Sequence, residues 1–133
     1  HVLDMGSGTG ILAILAEKKG AKKITAIDIE EWSVESCIEN STLNDCRHVE
    51  SLCGGIELIN GKKFDIILAN INKNILKAQM SAYYEALNKN GFLYLSGFFE
   101  TDVDELTSFA KREGFFSRSV NVKEEWAMLV FQK

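Results

Sequence analysis

The residues best equipped for chemistry stand in three places. Asp4 precedes Gly6, Gly8 and Gly10 in the opening HVLDMGSGTG, Asp28 ends the stretch ITAID, and Asn70-Ile71-Asn72 follows the apolar run FDIILA. Glycines at every second position let the backbone take positive φ and approach a ligand closely, and the helix start behind them offers unpaired N–H groups. A nucleotide-like ligand suits such a turn. The alternative, a tight strand-to-helix turn that needs glycine with no ligand at all, stays open at this point.

Spacing narrows the ligand. The dinucleotide fingerprint G-x-G-x-x-G would place its third glycine where Ile11 stands, which disfavours a nicotinamide-dependent dehydrogenase. The chain instead reads D-x-G-x-G-x-G, with Asp4 two residues ahead of Gly6. A pyrophosphate has no use for that carboxylate, whereas a ligand carrying an ammonium and a sulfonium does. Asp28 lies 22 residues beyond Gly6, near the separation at which an acid on the second strand reaches ribose hydroxyls. Two hydroxyls on one carboxylate make a bidentate contact. Capping of the next helix is the other reading of Asp28.

Asn70 is delivered by a strand that is apolar throughout except for Asp65, as a central parallel strand should be, to the edge where open α/β sheets bind ligands. Asn70 and Asn72 are also residue types that cap helices, so that plainer role stands beside the functional one. Trp32 is placed either to border a nucleobase or simply to pack on the surface, and Cys37 reads as a small buried hydrophobe. With His1 and His48 the only histidines, neither a metal site nor a Ser-His-Asp triad can be assembled.

The 133 residues make one domain of ordinary apolar and charged content. A net charge of -4 gives no basic footprint, so direct nucleic-acid binding is not expected. Cys37, Cys46 and Cys53 lack C-x-x-C spacing and are odd in number, which points to free thiols and a cytoplasmic setting. No apolar run approaches the roughly 20 residues of a bilayer span. The chain opens inside its first core strand, without Met or lead-in, and reads as a piece of a longer protein whose upstream part is absent. The oligomeric state is not legible.

The positioning elements alternate. Ile11–Lys19 is expected to be helical with an apolar stripe of Ile11, Leu12, Leu15 and Ala16, stopped by Gly20. A strand from Ile24 follows, then a helix presenting Val34, Cys37, Ile38 and Ser41, then a weak strand RHVESLC and a glycine-bearing loop. After FDIILAN comes a helix over Asn74–Asn88 with Ile75, Leu76, Met80, Tyr83 and Leu87 inward. NKNGFLYLSGFF gives a turn and fifth strand, and DVDELTSFAKREG a helix on Val103, Leu106, Phe109 and Ala110, ending at Gly114. Two final strands have no helix between them and must pair antiparallel. The expectation is a Rossmann-like, doubly wound α/β sheet with its last strand antiparallel.

The pairing of VLDMGSGTGILAILAEKKGAKKITAIDIE with ILANINKNIL, LSGFFETDVDEL and EEWAMLVFQK resembles the PrmA family, class I methyltransferases that modify the eleventh protein of the large ribosomal subunit. The resemblance covers essentially the whole chain and implies strand order 3-2-1-4-5-7-6. It implies S-adenosylmethionine as cofactor and the lysine ε-amines and N-terminal α-amine of that ribosomal protein as acceptors. Asp4, Gly6, Ser7, Gly8 and Gly10 would then surround the methionine part of the cofactor, and Asp28 with Ile29 the ribose and adenine. Asn70 and the Ile71 backbone would hold the attacking amine beside the cofactor. Asn72 stands where the family usually has leucine, and Cys53-Gly54-Gly55 where a Gly-Asp pair often meets the adenine amine. The family's upstream cofactor loop and substrate-docking domain have no counterpart in these residues. Two other readings are an N-methyltransferase of another protein or small molecule, and a cofactor-binding domain inactive in this truncated form.

Overall fold

The computed structural model describes all 133 residues, as seven strands and four helices in the expected alternation. The strand order is β3-β2-β1-β4-β5-β7-β6, as the resemblance implied. The chain divides into two compact units, His1–Leu58 and Ile59–Lys133.

In the first unit β1 (Val2–Met5), β2 (Ile24–Asp28) and β3 (Val49–Cys53) are parallel, with Val2 opposite Ile24 and Ile24 opposite Val49. Leu3, Ile24, Ala26 and Ile27 are wholly buried, as strands covered on both faces require. The helix α1 (Ile11–Lys18) corrects the expected stripe, and α2 (Glu31–Leu43) corrects it in part, since Cys37 and Ser41 are buried as expected and Ile38 is not. Ile11 and Leu15 are 71% and 50% exposed, and Ile38 is 53% exposed; the buried residues are Ala13 on α1 and Ser33, Cys37 and Ser41 on α2. Size explains this. The Ala13 N–H bonds the Asp4 carboxylate on β1, and Gly10 lies against Cys37, so both helices run too close for larger side chains to face inward.

In the second unit β4 (Phe64–Asn70) and β5 (Leu87–Phe99) are parallel, β5 pairs antiparallel with β7 (Trp126–Gln132), and β7 pairs antiparallel with β6 (Phe116–Lys123). The helix α3 runs Lys73–Ala86, not Asn74–Asn88. It stops early because Leu87 is already paired with Phe64 as the first residue of β5. Leu76, Met80, Tyr83 and Leu87 are buried as expected, whereas Ile75 is 40% exposed on the outer side of the first turn. The helix α4 (Val103–Glu113) buries Leu106 and Ala110 and ends at left-handed Gly114. Phe109 is half-buried, with the Lys77 and Arg112 cations over its ring. Lys73 bonds Asp102 at 2.6 Å and Glu105 at 3.1 Å, joining the first turn of α3 to the start of α4. Glu124 and Glu125 close the β6–β7 hairpin with φ of 49° and 71°, the sign that a primed two-residue turn demands.

Candidate functional site

The glycine turn is held by backbone bonds and by two side chains, Asp28 on Gly8 N and Asn40, whose amide donates to Thr9 O at 2.9 Å. Ile27 O on β2 accepts from both Gly6 N and Ser7 N, at 2.8 and 3.0 Å, and Gly10 N donates to Ser7 O at 2.8 Å. Gly10 takes φ +82° as the residue that opens α1. A side chain there would start 2.5 Å from the Cys37 sulfur, so this glycine is required both by conformation and by space. Gly8 is different. Its φ is +53°, and a Cβ built on it meets nothing within 4 Å, leaving an open backbone face at the tip of the turn.

Asp28 bonds this turn directly, and Asp4 bonds the helix that follows it. Asp28 Oδ2 accepts from Gly8 N at 2.8 Å and Oδ1 from Glu30 N at 3.1 Å, so it ties the glycine turn to the end of β2. The N-cap of α2 is Glu30, not Asp28, so the capping considered for Asp28 is not what it does. A carboxylate has about four acceptor sites, so capacity for two hydroxyl donors remains. Asp4 is only 1% exposed, and its Oδ2 accepts from Ala13 N at 3.0 Å. Burial pushes its pKa up to about 7, opposed by the Ala13 N–H bond and assisted by the charge of Asp28. A cation close to these carboxylates would relieve that cost.

The donor set suits a cationic, hydroxylated ligand. The Ser7 hydroxyl is buried with no hydrogen-bond partner, an orphan of the kind that a bound molecule satisfies. Ile29 and Trp32, beyond the acidic strand end, are 69% and 61% exposed and offer apolar surface. At Cys53-Gly54-Gly55 the sequence lacks an acid, yet one is present: Gly55 N donates to Glu57 Oε1 at 2.8 Å, drawing that carboxylate over the turn. Cys37 is fully buried against Gly10, in keeping with a packing role.

The second unit carries the asparagines. Asn70, the last residue of β4, is exposed, and its Oδ1 accepts from the Ser96 hydroxyl on β5 at 3.0 Å. Ile71 N donates to Ser96 O at 3.2 Å. Asn72 caps α3, its Oδ1 accepting from Ile75 N at 3.1 Å, which is the plainer of its two expected roles. Ser96 and Gly97 were missed in the sequence. Gly97 has φ +88°, and a Cβ there would lie 2.8 Å from Ile71 O, 2.9 Å from Ile71 N and 3.0 Å from Asn70 Oδ1. The signal was available, because a glycine inside a strand marks a bulge or a close backbone approach, and the β5–β7 register does shift between Leu95 and Phe98.

With this geometry in view, comparison with known proteins is informative. Residues 1–133 match the family described as Ribosomal protein L11 methyltransferase (PrmA). A ribosomal protein L11 methyltransferase from Porphyromonas gingivalis is 47% identical over 98% of this chain, which corresponds to 46% of the relative. One from Staphylococcus saprophyticus is 35% identical over 99% of this chain and 43% of the relative. The chain thus spans about half the length of the curated relatives it matches. The crystal structure of ribosomal protein L11 methylase from Lactobacillus delbrueckii subsp. bulgaricus superposes with a TM-score of 0.93 at 30% identity, covering 98% of this chain and 68% of that one.

Proposed function

This chain belongs to the ribosomal protein L11 methyltransferase family, and we propose that it is the catalytic part of an enzyme that moves methyl groups from S-adenosylmethionine to amines of a large-subunit ribosomal protein. The observation that carries this reading is the strand–turn–helix segment that combines Asp28 on Gly8 N, the buried Asp4 on Ala13 N in the first turn of α1, the orphan Ser7 hydroxyl and the open face of Gly8. Asp28 would take the ribose hydroxyls, and Asp4, Gly6, Ser7, Gly8 and Gly10 the methionine end. Ile29 would lie against the adenine. The remaining length of the relatives leaves room for a separate substrate-docking part, and the acceptors we assign are lysine ε-amines and the N-terminal α-amine. Such a substrate is met in the cytoplasm. No helix here is long and apolar enough to cross a membrane.

S-adenosylmethionine, when bound, supplies an electrophilic methyl group on a sulfonium. The protein's share of the work is positioning and control of the acceptor's proton. A lysine with a reference pKa near 10.4 is protonated at pH 7, and freeing its lone pair costs roughly 4 to 5 kcal/mol unless desolvation helps. Asn70 Oδ1 already accepts from Ser96 and keeps a second lone pair for an amine N–H. Being neutral, it orients the amine without stabilising the ammonium as a carboxylate would. The Ile71 backbone, bonded to Ser96 O and lying where a side chain at residue 97 would intrude, holds Asn70 in place.

The test uses the full-length protein. Tritium from labelled S-adenosylmethionine should pass to L11 among purified ribosomal proteins, and label in some other protein, or none, overturns the assignment. In the same enzyme Asn70→Ala should lower kcat on the order of 100-fold while cofactor affinity by calorimetry changes little. Equal losses in both would remove Asn70 from the acceptor role.

A further inference from the structure

The strand that steadies Asn70 continues to an exposed aromatic pair that the site above does not use. The bulge at Gly97 adds one residue to β5, so that Phe98 is 2% exposed and inward while Phe99 is 48% exposed and outward. Phe99 is the register partner of Trp126 on β7, itself 53% exposed, and their rings lie 4.5 Å apart with planes tilted by 36°. Beyond the ladder Glu100 N donates to Glu125 O at 2.8 Å, which fixes the chain on both sides of the pair. Two aromatic faces of this size are seldom left in water without a partner.

The charges around the pair select the partner. Glu100, Glu124 and Glu125 flank it, all exposed and none in an ion pair. Lys123 stands opposite Trp126 on β6, and Lys73 is engaged by Asp102 and Glu105. Electron-rich ring faces bordered by uncompensated carboxylates attract cations with apolar stems, which describes lysine and arginine side chains. An anionic or nucleic-acid partner would be repelled. Phe99 follows Ser96, the hydrogen-bond donor to Asn70, by three residues on one strand, so a peptide lying across the pair passes close to the residue assigned to the acceptor amine.

We propose that Phe99 and Trp126, with Glu100, Glu124 and Glu125, form a docking surface for a lysine- or arginine-bearing segment of the acceptor protein. The proposal rests on the reading of this chain as a methyltransferase of ribosomal protein L11. It adds a contribution to acceptor binding from the catalytic part itself.

The test is steady-state methylation of purified L11 by full-length enzyme, with the cofactor Kd measured separately. Trp126→Ala should raise KM for L11 roughly tenfold. Because that variant removes a ladder residue, Glu124→Gln/Glu125→Gln serves as the second. It should raise KM about threefold and flatten its rise with salt, with kcat and cofactor Kd held within about twofold. If the wild type methylates L11 and neither variant shifts KM, or if kcat falls instead, the docking surface is overturned while the assigned function stands. Conversion of a wild-type dimer to monomer by Trp126→Ala would also overturn it, giving the surface to a second copy. Failure of the wild type to methylate L11 defeats the underlying function itself.

Discussion

The sulfur of Cys37 occupies the place from which a side chain at Gly10 would grow, 2.5 Å from an ideal Cβ. Gly10→Ala therefore meets a filled space and a left-handed φ together, and should cost about 2–4 kcal/mol in denaturant unfolding. Adding Cys37→Ala should return the steric part and leave the conformational part. A double-mutant cycle with no coupling would mean that the two residues do not press on each other.

Asp4 sets a pH dependence. Its pKa is raised by burial to about 7 from an ordinary value of 3.8, so the folded chain binds a proton there more tightly than the unfolded one. This group's contribution to stability is fully present below pH ~4 and is lost as pH rises through ~7. Cofactor binding should run the other way, because a cationic ligand favours the ionised carboxylate. Affinity by calorimetry should rise between about pH 6 and 7.5, and Asp4→Asn should bind more weakly with that slope gone. A slope unchanged in the variant would assign the titration elsewhere.

Gly97 should behave as part of the acceptor machinery although it offers no functional group. Alanine there would push on Ile71 backbone atoms 2.8 and 2.9 Å away, and backbone yields less easily than a flexible side chain. Gly97→Ala should lower kcat on the order of 100-fold with cofactor affinity retained, since an error of about 1 Å in positioning has that effect. Full turnover in this variant would show that the Asn70–Ile71 peptide tolerates displacement.

The element sequence and the acidic glycine turn were legible because each has a local signature: an alternation of buried apolar runs and helical periods, and a spacing of Asp and Gly. The strand order came only with the family resemblance, since no local pattern states which strands are neighbours. What could not be read was distance between elements. Ile11, Leu15 and Ile38 looked like core by hydropathy, yet Ala13 faces inward on α1, and on α2 Cys37 is buried as expected but without Ile38, because both helices run close to their neighbours. That closeness depends on Gly10 and the Asp4–Ala13 bond. Likewise Ser96 reaches Asn70 across 26 positions of sequence, a pairing that only the β4–β5 register creates. Glu57 lay outside the three-residue stretch in which an acid was sought, and a local hydrogen bond brings it back.

The hairpin tip at Glu124 and Glu125 places two ordinary side chains in a conformation that asparagine and glycine adopt with far less strain, a difference of about 1–2 kcal/mol per residue. Thermal tolerance could be raised there by a two-residue exchange that touches no core atom. The same exchange would discharge the corner beside Trp126. Heat resistance and recognition of a basic partner thus compete for one short turn, and a protein engineer working on this fold would have to choose between them.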